Sequence, residues 1–189
     1  MLATALHYSH TLLEEIIQPG NHVVDATMGN GHDTELLAKL VGKTGKVYAF
    51  DIQRSAVENT KKRLRDADLE DRVSLILDGH EHLGNYLGTT EEIHAAIFNL
   101  GYLPKSDKSI ITLPQTTKQA LDTLLQHLAR RGRIIIVAYY GHAGGVDELK
   151  TVYDYCSQLP QDRYNVLNYQ FINQKNQPPI LFCIERKKN

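Results

Sequence analysis

The chain has 189 residues, of which 42% are hydrophobic and 23% are charged, and its net charge is −1 at pH 7. This composition is typical of one folded domain, which we expect to span residues 1–189, and it excludes a largely disordered chain. The near-neutral charge also removes the simplest argument for nucleic-acid binding, which is a strongly basic domain.

Short apolar runs alternate with amphipathic segments along the first 159 residues. Strands covered on both faces are nearly continuous apolar runs, whereas helices repeat apolar residues every three or four positions. The alternation therefore predicts a Rossmann-like, doubly wound α/β fold with a mostly parallel sheet. The predicted helices cover residues 4–17, 34–41, 54–69, 116–129 and 147–159, and the predicted strands cover residues 22–26, 46–51, 72–77, 93–100 and 132–139.

Two more strand-like runs, residues 164–172 and 180–186, follow the last predicted helix. The turn-rich stretch between them has no room for a crossover helix, so these two strands form a C-terminal antiparallel hairpin. Five strand–helix units followed by a hairpin describe the sheet of class I methyltransferases. A dinucleotide-binding dehydrogenase does not need that hairpin.

A glycine-containing turn follows the first predicted strand. Gly29 and Gly31 let the backbone turn sharply near a ligand, and the next helix presents free N–H groups at its start. Thr27 stands where the pattern G-x-G-x-x-G has its first glycine, and Asp25 adds a charge that would repel a pyrophosphate. That charge suits the ammonium and sulfonium groups of S-adenosylmethionine, although a plain tight turn is the alternative. The predicted cofactor contacts here are Asp25, Thr27, Met28, Gly29, Asn30, Gly31, Asp33 and Thr34.

Acidic residues also end the second and third predicted strands. Asp51 lies 20 residues after the second glycine, where an acid accepts hydrogen bonds from ribose hydroxyls. Asp78 occupies the equivalent place after the third strand, where an aspartate can accept from an adenine amino group. A lone aspartate after a strand is usually a helix N-cap, but three acidic strand ends around one glycine loop are more specific together. The predicted cofactor contacts are Asp51, Ile52, Gln53, Asp78 and His80.

The fourth predicted strand ends in the segment Asn99-Leu100-Gly101-Tyr102-Leu103-Pro104. In a doubly wound sheet this edge lies beside the switch point, where ligands bind. The segment looks like a variant of the Asn-Pro-Pro-Tyr motif of amino-group methyltransferases without its two prolines; a loop asparagine and a packing tyrosine are the alternative. We predict that Asn99 accepts hydrogen bonds from an amine and also contacts the cofactor. Tyr102 is the second predicted catalytic residue, and Tyr102, Leu103 and Pro104 are predicted substrate contacts.

A loop rich in glycine and aromatic residues follows the fifth predicted strand. Tyr140 or His142 can stack on an unpaired nucleotide base, which is how such bases are commonly held. His142 is also the best candidate for a general base, since its charge changes near neutral pH. We therefore predict Tyr140, His142 and Gly144 as substrate contacts and His142 as a catalytic residue. The alternative is that the glycines only make the turn and the tyrosines only pack.

The sequence indicates neither a metal site nor a membrane or export signal. Among the nine histidines, close pairs such as His7 with His10 have no third ligand at a familiar spacing, so we expect no metal. The longest strongly apolar run covers residues 134–140, and a transmembrane helix needs about 20 residues. The first residues lack the basic start and apolar core of a signal peptide, and the two cysteines suit a reducing compartment. We therefore expect a cytoplasmic protein that does not bind a membrane.

Taken together, these motifs resemble the bacterial family labelled "putative rRNA methylases", whose characterised members methylate the aminomethyl group of wobble uridine in tRNA. The resembling segments follow one another in the same order over residues 25–34, 51–53, 99–104, 112–117 and 140–145. The segment 99–104 and the Gly-His-x-Gly-Gly loop are the most family-specific. Two differences, Lys105-Ser106 and Gln115, lie on the predicted substrate side.

The resemblance implies an S-adenosylmethionine-dependent N-methyltransferase that acts on the 5-aminomethyl group of uridine at position 34 of tRNA. It also implies contacts with the anticodon loop and a homodimer. An rRNA or small-molecule methyltransferase is the alternative with similar chemistry. An NAD-dependent oxidoreductase would use Asp51 and the glycine loop but would leave Asn99 and the final hairpin unexplained, and a non-catalytic nucleotide-binding module is a third alternative.

Overall fold

The computed structural model describes residues 1–101 and 110–188, so Tyr102, Leu103 and Pro104 lie outside the described residues. Within those ranges strands alternate with helices. The α-helices are α1 (Ala5–Glu14), α2 (His32–Val41), α3 (Arg54–Asp66), α4 (Pro114–His127) and α5 (Gly145–Ser157). The strands are β1 (His22–Asp25), β2 (Lys46–Asp51), β3 (Val73–Leu77), β4 (Ile93–Leu100), β5 (Leu128–Ala138), β6 (Tyr164–Tyr169) and β7 (Ile180–Arg186). Short 3-10 helices cover Glu70–Arg72 and His80–Asn85.

These strands form one sheet in the order β3-β2-β1-β4-β5-β7-β6. The strands from β1 to β5 pair in parallel, and β7 lies antiparallel between β5 and β6. The prediction of a doubly wound, mostly parallel sheet with a C-terminal antiparallel hairpin is confirmed.

Helices cover both faces of the sheet, which explains the continuous apolar runs. Successive residues of a strand point to opposite faces. In β1, Val23 packs in the apolar core under α1, α2 and α3, while Val24 packs in the core under α4 and α5. In β4, Ile97 and Phe98 divide between the same two cores. All four side chains are fully buried, so neither face leaves room for a polar residue at these positions.

The start of β5 differs from the predicted boundary. The amphipathic pattern predicts that the fourth helix continues to residue 129, but α4 ends at His127 and Leu128 already pairs with Ile93 of β4. From that pair to the next, β5 advances five residues while β4 advances two, and Arg131 has a left-handed φ of 63°. The buried side chains of Leu128 and Ala129 fit the apolar repeat of a helix equally well, which is why periodicity misplaces this boundary.

The order of the strands reverses at β1, because β1 pairs with β2 on one side and with β4 on the other. The connections that leave the carboxyl ends of these strands run to opposite faces and open a crevice between them. Within the described ranges, no helix is long and apolar enough to cross a membrane.

Candidate functional site

A cleft of about 900 Å³ opens at the carboxyl ends of the parallel strands. It lies at the reversal of strand order, where open α/β sheets bind their ligands. The predicted cofactor residues that line it are Thr27, Met28, Gly29, Asn30, Asp33, Asp51, Ile52, Gln53, Asp78, His80 and Asn99. Most of the predicted cofactor site therefore comes together in one place.

The charge of the cleft favours a cationic ligand. Four carboxylates line it, on Asp33, Asp51, Asp78 and Glu81. Its described lining contains histidines but neither lysine nor arginine. A pyrophosphate is usually held by basic side chains as well as backbone N–H groups, whereas ammonium and sulfonium groups are attracted to carboxylates. The electrostatics therefore fit S-adenosylmethionine better than a dinucleotide.

Asp25 does not face this cleft, contrary to our expectation. Its side chain is fully buried, and its two oxygens accept hydrogen bonds from Thr27 N at 3.2 Å and Thr34 Oγ1 at 2.6 Å. Burial and the nearby charge of Asp33 raise its pKa to about 7. Asp25 therefore shapes the turn from behind. Thr34 and Gly31, which we also predicted as contacts, are likewise absent from the cleft lining.

Asp51 fastens the glycine-containing turn to the end of β2. Gly29 N donates to its Oδ2 at 3.0 Å, and Gln53 N donates to its Oδ1 at 2.9 Å. Burial of the carboxyl raises the pKa of Asp51. Each carboxylate oxygen has a second lone pair, and the side chain lines the cleft. Asp51 can therefore accept ribose hydroxyls while it holds the turn.

Gly31 determines the backbone shape at the end of the turn. Its φ is +80°, and a Cβ at this position would lie 2.8 Å from the side chain of Thr60 on α3. Only glycine satisfies both conditions. The helix α2 can therefore begin close against α3, directly after the turn.

The end of the cleft beyond β3 is built from Asp78, His80 and their neighbours. The Asp78 carboxylate accepts from Gly79 N at 2.8 Å and Tyr86 Oη at 2.8 Å, and it pairs with His82 Nδ1 at 2.7 Å. The hydrogen bond from His82 is the main reason that the pKa of Asp78 is lowered. The carboxylate therefore stays ionised and braces the 3-10 helix that carries His80.

His80, which lines the cleft, carries a buried ring nitrogen with an unused lone pair. Its side chain is buried, and Nδ1 lies 3.0 Å from the carbonyl oxygen of Ala26, so Nδ1 carries the proton. Burial lowers the pKa of His80, which leaves the ring neutral with Nε2 as an acceptor. Nε2 has no hydrogen-bond partner among the described residues. A ribose hydroxyl or an adenine amino group would satisfy this buried nitrogen, so the residues present fit S-adenosylmethionine.

Asn99 lies at the end of β4 and is held on two sides. Its backbone N donates to Thr27 Oγ1 at 2.7 Å, and its side-chain Nδ2 donates to Asp33 Oδ2 at 2.6 Å. The other oxygen of Asp33 lies 2.7 Å from His10 Nε2. The hydrogen bond to Asp33 raises the pKa of His10. The helix α1, which carries His10, therefore contributes to a site in which sequence reasoning gave this helix no part.

The loop after β5 is placed differently from our prediction. Tyr139 lines the cleft, whereas Tyr140, His142 and Gly144 are absent from its lining. Burial, with the charge of Asp33, raises the pKa of Tyr139. His142 lies beside the cleft mouth, because a Cβ added to Gly101 would be 3.7 Å from its Nε2. Tyr139 rather than Tyr140 therefore lines the cleft, since β5 ends at residue 138.

Buried Glu148 organises the predicted substrate side of the cleft, and sequence reasoning missed it. Its oxygens accept from Thr112 Oγ1 at 2.6 Å and Thr117 Oγ1 at 2.8 Å. Thr112 Oγ1 in turn accepts from Gly101 N at 3.0 Å, and Thr112 N donates to Gly101 O at 3.0 Å. Thr112 and Gly101, which lie eleven residues apart, are therefore joined directly, and Glu148 fixes the Thr112 side chain that makes one of these bonds. A glutamate in the first turn of an amphipathic helix carries no signal of this role.

The only signals that pointed toward the other missed residues were weak. Tyr139 belongs to a Tyr-Tyr pair at a strand end, and His10 belongs to a close histidine pair that we considered only for metal binding. In the parts of the chain that the structure describes, no three potential ligands cluster as a metal site would require.

Comparison with known proteins places this geometry in a family. The sequence model described as "Putative rRNA methylase" matches residues 47–185. A protein of Arabidopsis thaliana, named tRNA (mnm(5)s(2)U34)-methyltransferase, chloroplastic, is 37% identical over 191 residues, which cover 97% of this chain and 70% of the relative.

Two solved structures are similar over nearly the whole chain. A "putative rRNA-methylase" from Clostridium thermocellum is 45% identical with a TM-score of 0.96, and the match covers 98% of this chain and 99% of that one. A "putative methyltransferase" from Streptococcus mutans, solved in complex with S-adenosylhomocysteine, is 40% identical with a TM-score of 0.90 and the same two coverages. The chain therefore belongs to the rRNA methylase family and is an S-adenosylmethionine-dependent methyltransferase of class I fold.

Proposed function

We propose that the protein methylates the amine of a 5-aminomethyl group on uridine 34, the wobble position of tRNA. The name of the Arabidopsis relative contains this position and a methylaminomethyl product, which supports the proposal. The observation that carries it is the orientation of Asn99, whose carbonyl oxygen is left for an N–H donor in an acidic cleft. An amine is the acceptor that such a site suits.

The acidic lining helps to attract the acceptor and sets the chemical problem. An aliphatic amine has a reference pKa of about 10.4, so only about one molecule in 10³ is neutral at pH 7. The carboxylates of Asp33 and Asp51 favour the approach of the protonated form. The amine must then lose one proton before its lone pair can form a bond to carbon.

Holding the neutral amine is the task that we assign to Asn99. S-adenosylmethionine supplies a methyl group on a positively charged sulfur. An in-line displacement requires the amine nitrogen, the methyl carbon and the sulfur to be aligned, so catalysis depends on positioning. Asn99 Oδ1 can accept one N–H of the amine and direct its lone pair, because the amide is fixed by Asp33 and by β4.

Other parts of the proposal come from the resemblance or from position. His142 is proposed as the general base because it lies beside Gly101 at the cleft mouth. Tyr102 is proposed as a wall of the acceptor slot, and Tyr140 and Gly144 as contacts to the anticodon loop. We also propose that the protein acts as a homodimer in the cytoplasm.

The decisive test is a methylation assay with two tRNA preparations that differ in one group. tRNA that carries 5-aminomethyluridine at position 34 should gain one methyl group per molecule, located by nucleoside mass spectrometry. tRNA without the aminomethyl group should gain none. The variant Asn99→Ala should lose far more in turnover than in affinity for S-adenosylmethionine, which calorimetry measures.

Each contrary result has a clear meaning. Equal methylation of both tRNAs, at a ring atom or a ribose, would overturn the amine mechanism. Methylation of rRNA or of a small amine, with no methylation of either tRNA, would assign the cleft to another acceptor. A parallel loss of turnover and cofactor affinity in Asn99→Ala would place Asn99 against the cofactor alone.

A further inference from the structure

A chain of hydrogen bonds joins three polar side chains from three separate elements along the cleft. His10 lies on α1, Asp33 lies in the first turn of α2 and Asn99 lies on β4. His10 Nε2 is 2.7 Å from Asp33 Oδ1, and Asn99 Nδ2 is 2.6 Å from Asp33 Oδ2. Both oxygens of the Asp33 carboxylate are therefore engaged, one by each neighbour.

This arrangement determines which edge of the Asn99 amide faces Asp33. A carboxylate can only accept hydrogen bonds, whereas an amide has a donor edge and an acceptor edge. Asp33 therefore selects the NH₂ edge of Asn99. The carbonyl edge is left for a ligand, and Asn99 lines the cleft.

We propose that Asp33 is a positioning residue that fixes the Asn99 amide with its carbonyl available to the amine, and that His10 fixes Asp33. This inference rests on the proposed function and deepens it, because it explains why the site accepts an N–H donor. It also makes α1 part of the acceptor site.

The position of His10 is itself well determined. Near the end of α1, Arg133 Nη1 on β5 donates to the carbonyl oxygen of Leu12 at 2.9 Å and pairs with Glu15 at 2.6 Å. Before the start of α1, Tyr169 Oη on β6 donates to the carbonyl oxygen of Ala3 at 2.7 Å. The helix is thus tied to the sheet at both ends, and His10 can serve as a fixed support for Asp33.

Exchanging the two functional groups tests this orientation directly. In Asp33→Asn, the new amide would turn its carbonyl to His10 and its NH₂ to Asn99. Asn99 would then flip and present a donor edge to the amine. In Asn99→Asp, two carboxylates would face each other at the present 2.6 Å contact. The double variant restores one donor and one acceptor in reversed order, and it again leaves an acceptor for the amine.

The measurements are kcat and KM with aminomethyl tRNA, and calorimetric affinity for S-adenosylhomocysteine. Each single variant should lose about 10- to 100-fold in kcat/KM, which corresponds to one charge-assisted hydrogen bond of about 1.5–3 kcal/mol. The kcat/KM of the double variant should be at least about tenfold higher than that of the less active single variant, since the effects of substitutions at two residues in contact are not additive. Affinity for S-adenosylhomocysteine should fall by a smaller factor than kcat/KM does in Asp33→Asn.

His10 provides a second test that does not alter the carboxylate. His10→Gln keeps an N–H donor and should retain kcat/KM within about threefold, whereas His10→Ala should lose about tenfold. Circular dichroism confirms that each variant is folded. If the wild type fails to methylate aminomethyl tRNA, the proposed function is overturned and this inference with it.

With an active wild type, two results would overturn the orientation alone. One is a double variant whose kcat/KM is no higher than that of either single variant. The other is a loss of cofactor affinity in Asp33→Asn that equals its loss of turnover, because Asp33 would then act on the cofactor.

Discussion

Replacing Asp25 with asparagine should make the stability of the protein less dependent on pH. The Asp25 side chain is fully buried and lies behind the glycine-containing turn. Its pKa rises from 3.8 to about 7 because of burial and then of the Asp33 charge, although hydrogen bonds from Thr34 and Thr27 oppose the shift. At a pH between these two pKa values, the Asp25 carboxyl holds a proton in the folded state that it has released in the unfolded state. The contribution of Asp25 to the free energy of unfolding is therefore fully present below about pH 4, and it is lost as the pH rises through 7.

The size of the effect follows from the two pKa values. Each unit of pH between the two pKa values lowers the free energy of unfolding by about 1.4 kcal/mol, so the whole interval lowers it by about 4 kcal/mol. Between pH 5 and pH 8 the free energy of unfolding of the wild type should fall by about 2–3 kcal/mol through Asp25 alone. Asp25→Asn carries no titrating carboxyl, so its free energy of unfolding lacks this decline. Any loss from altered hydrogen bonds to Thr27 and Thr34 is the same at every pH.

Urea unfolding followed by circular dichroism at pH 5, 6, 7 and 8 measures this difference. The free energy of unfolding of wild type minus that of Asp25→Asn should fall by about 2–3 kcal/mol over the series. Asp162→Asn, at an exposed aspartate, is the matched control and should show a constant difference. A constant difference for Asp25→Asn as well would show that the buried carboxyl titrates normally, and the reasoning would be wrong.

Three further predictions concern the cofactor turn and the substrate side. Asp51→Ala should weaken binding of S-adenosylmethionine at least about tenfold by calorimetry, because charge-assisted hydrogen bonds are lost; unchanged affinity in a folded variant would contradict the assignment. Gly31→Ala should reduce the free energy of unfolding by about 1–3 kcal/mol, because its Cβ would lie 2.8 Å from Thr60. Glu148→Ala should lower stability by about 1–3 kcal/mol and raise KM for tRNA more than for the cofactor, whereas Glu148→Gln should be milder. A Glu148→Ala variant with unchanged KM for tRNA would limit that residue to a structural role.

The sequence alone determined the fold, because the fold depends on patterns that burial imposes. Strands covered on two faces must be apolar at nearly every position, and Val23 and Val24 illustrate this in β1. The short connection before β7 was sufficient to predict the antiparallel hairpin. The sequence also indicated the cofactor region, since the turn around Gly29 and the acid at Asp51 both follow strands whose ends meet at one edge of the sheet.

Only the tertiary structure decided which of two nearby acids lines the cleft. Asp25 and Asp33 both lie next to the turn in the sequence, and the sequence predicted both as cofactor contacts. The direction of a side chain at the strand end depends on the helix packed behind it, and there Thr34 binds the Asp25 carboxylate at 2.6 Å. Asp33, in the first turn of α2, lines the cleft instead.

Contacts between distant segments were equally beyond the reach of the sequence. His10 meets Asp33 across 23 residues, and Glu148 meets Thr112 across 36 residues. Local periodicity describes only neighbours along one element, whereas these pairs depend on how α1 and α5 pack against the sheet. The chain therefore specifies where the cofactor cleft lies through its strand ends, but the orientation of Asn99 in that cleft is set by packing between separate helices.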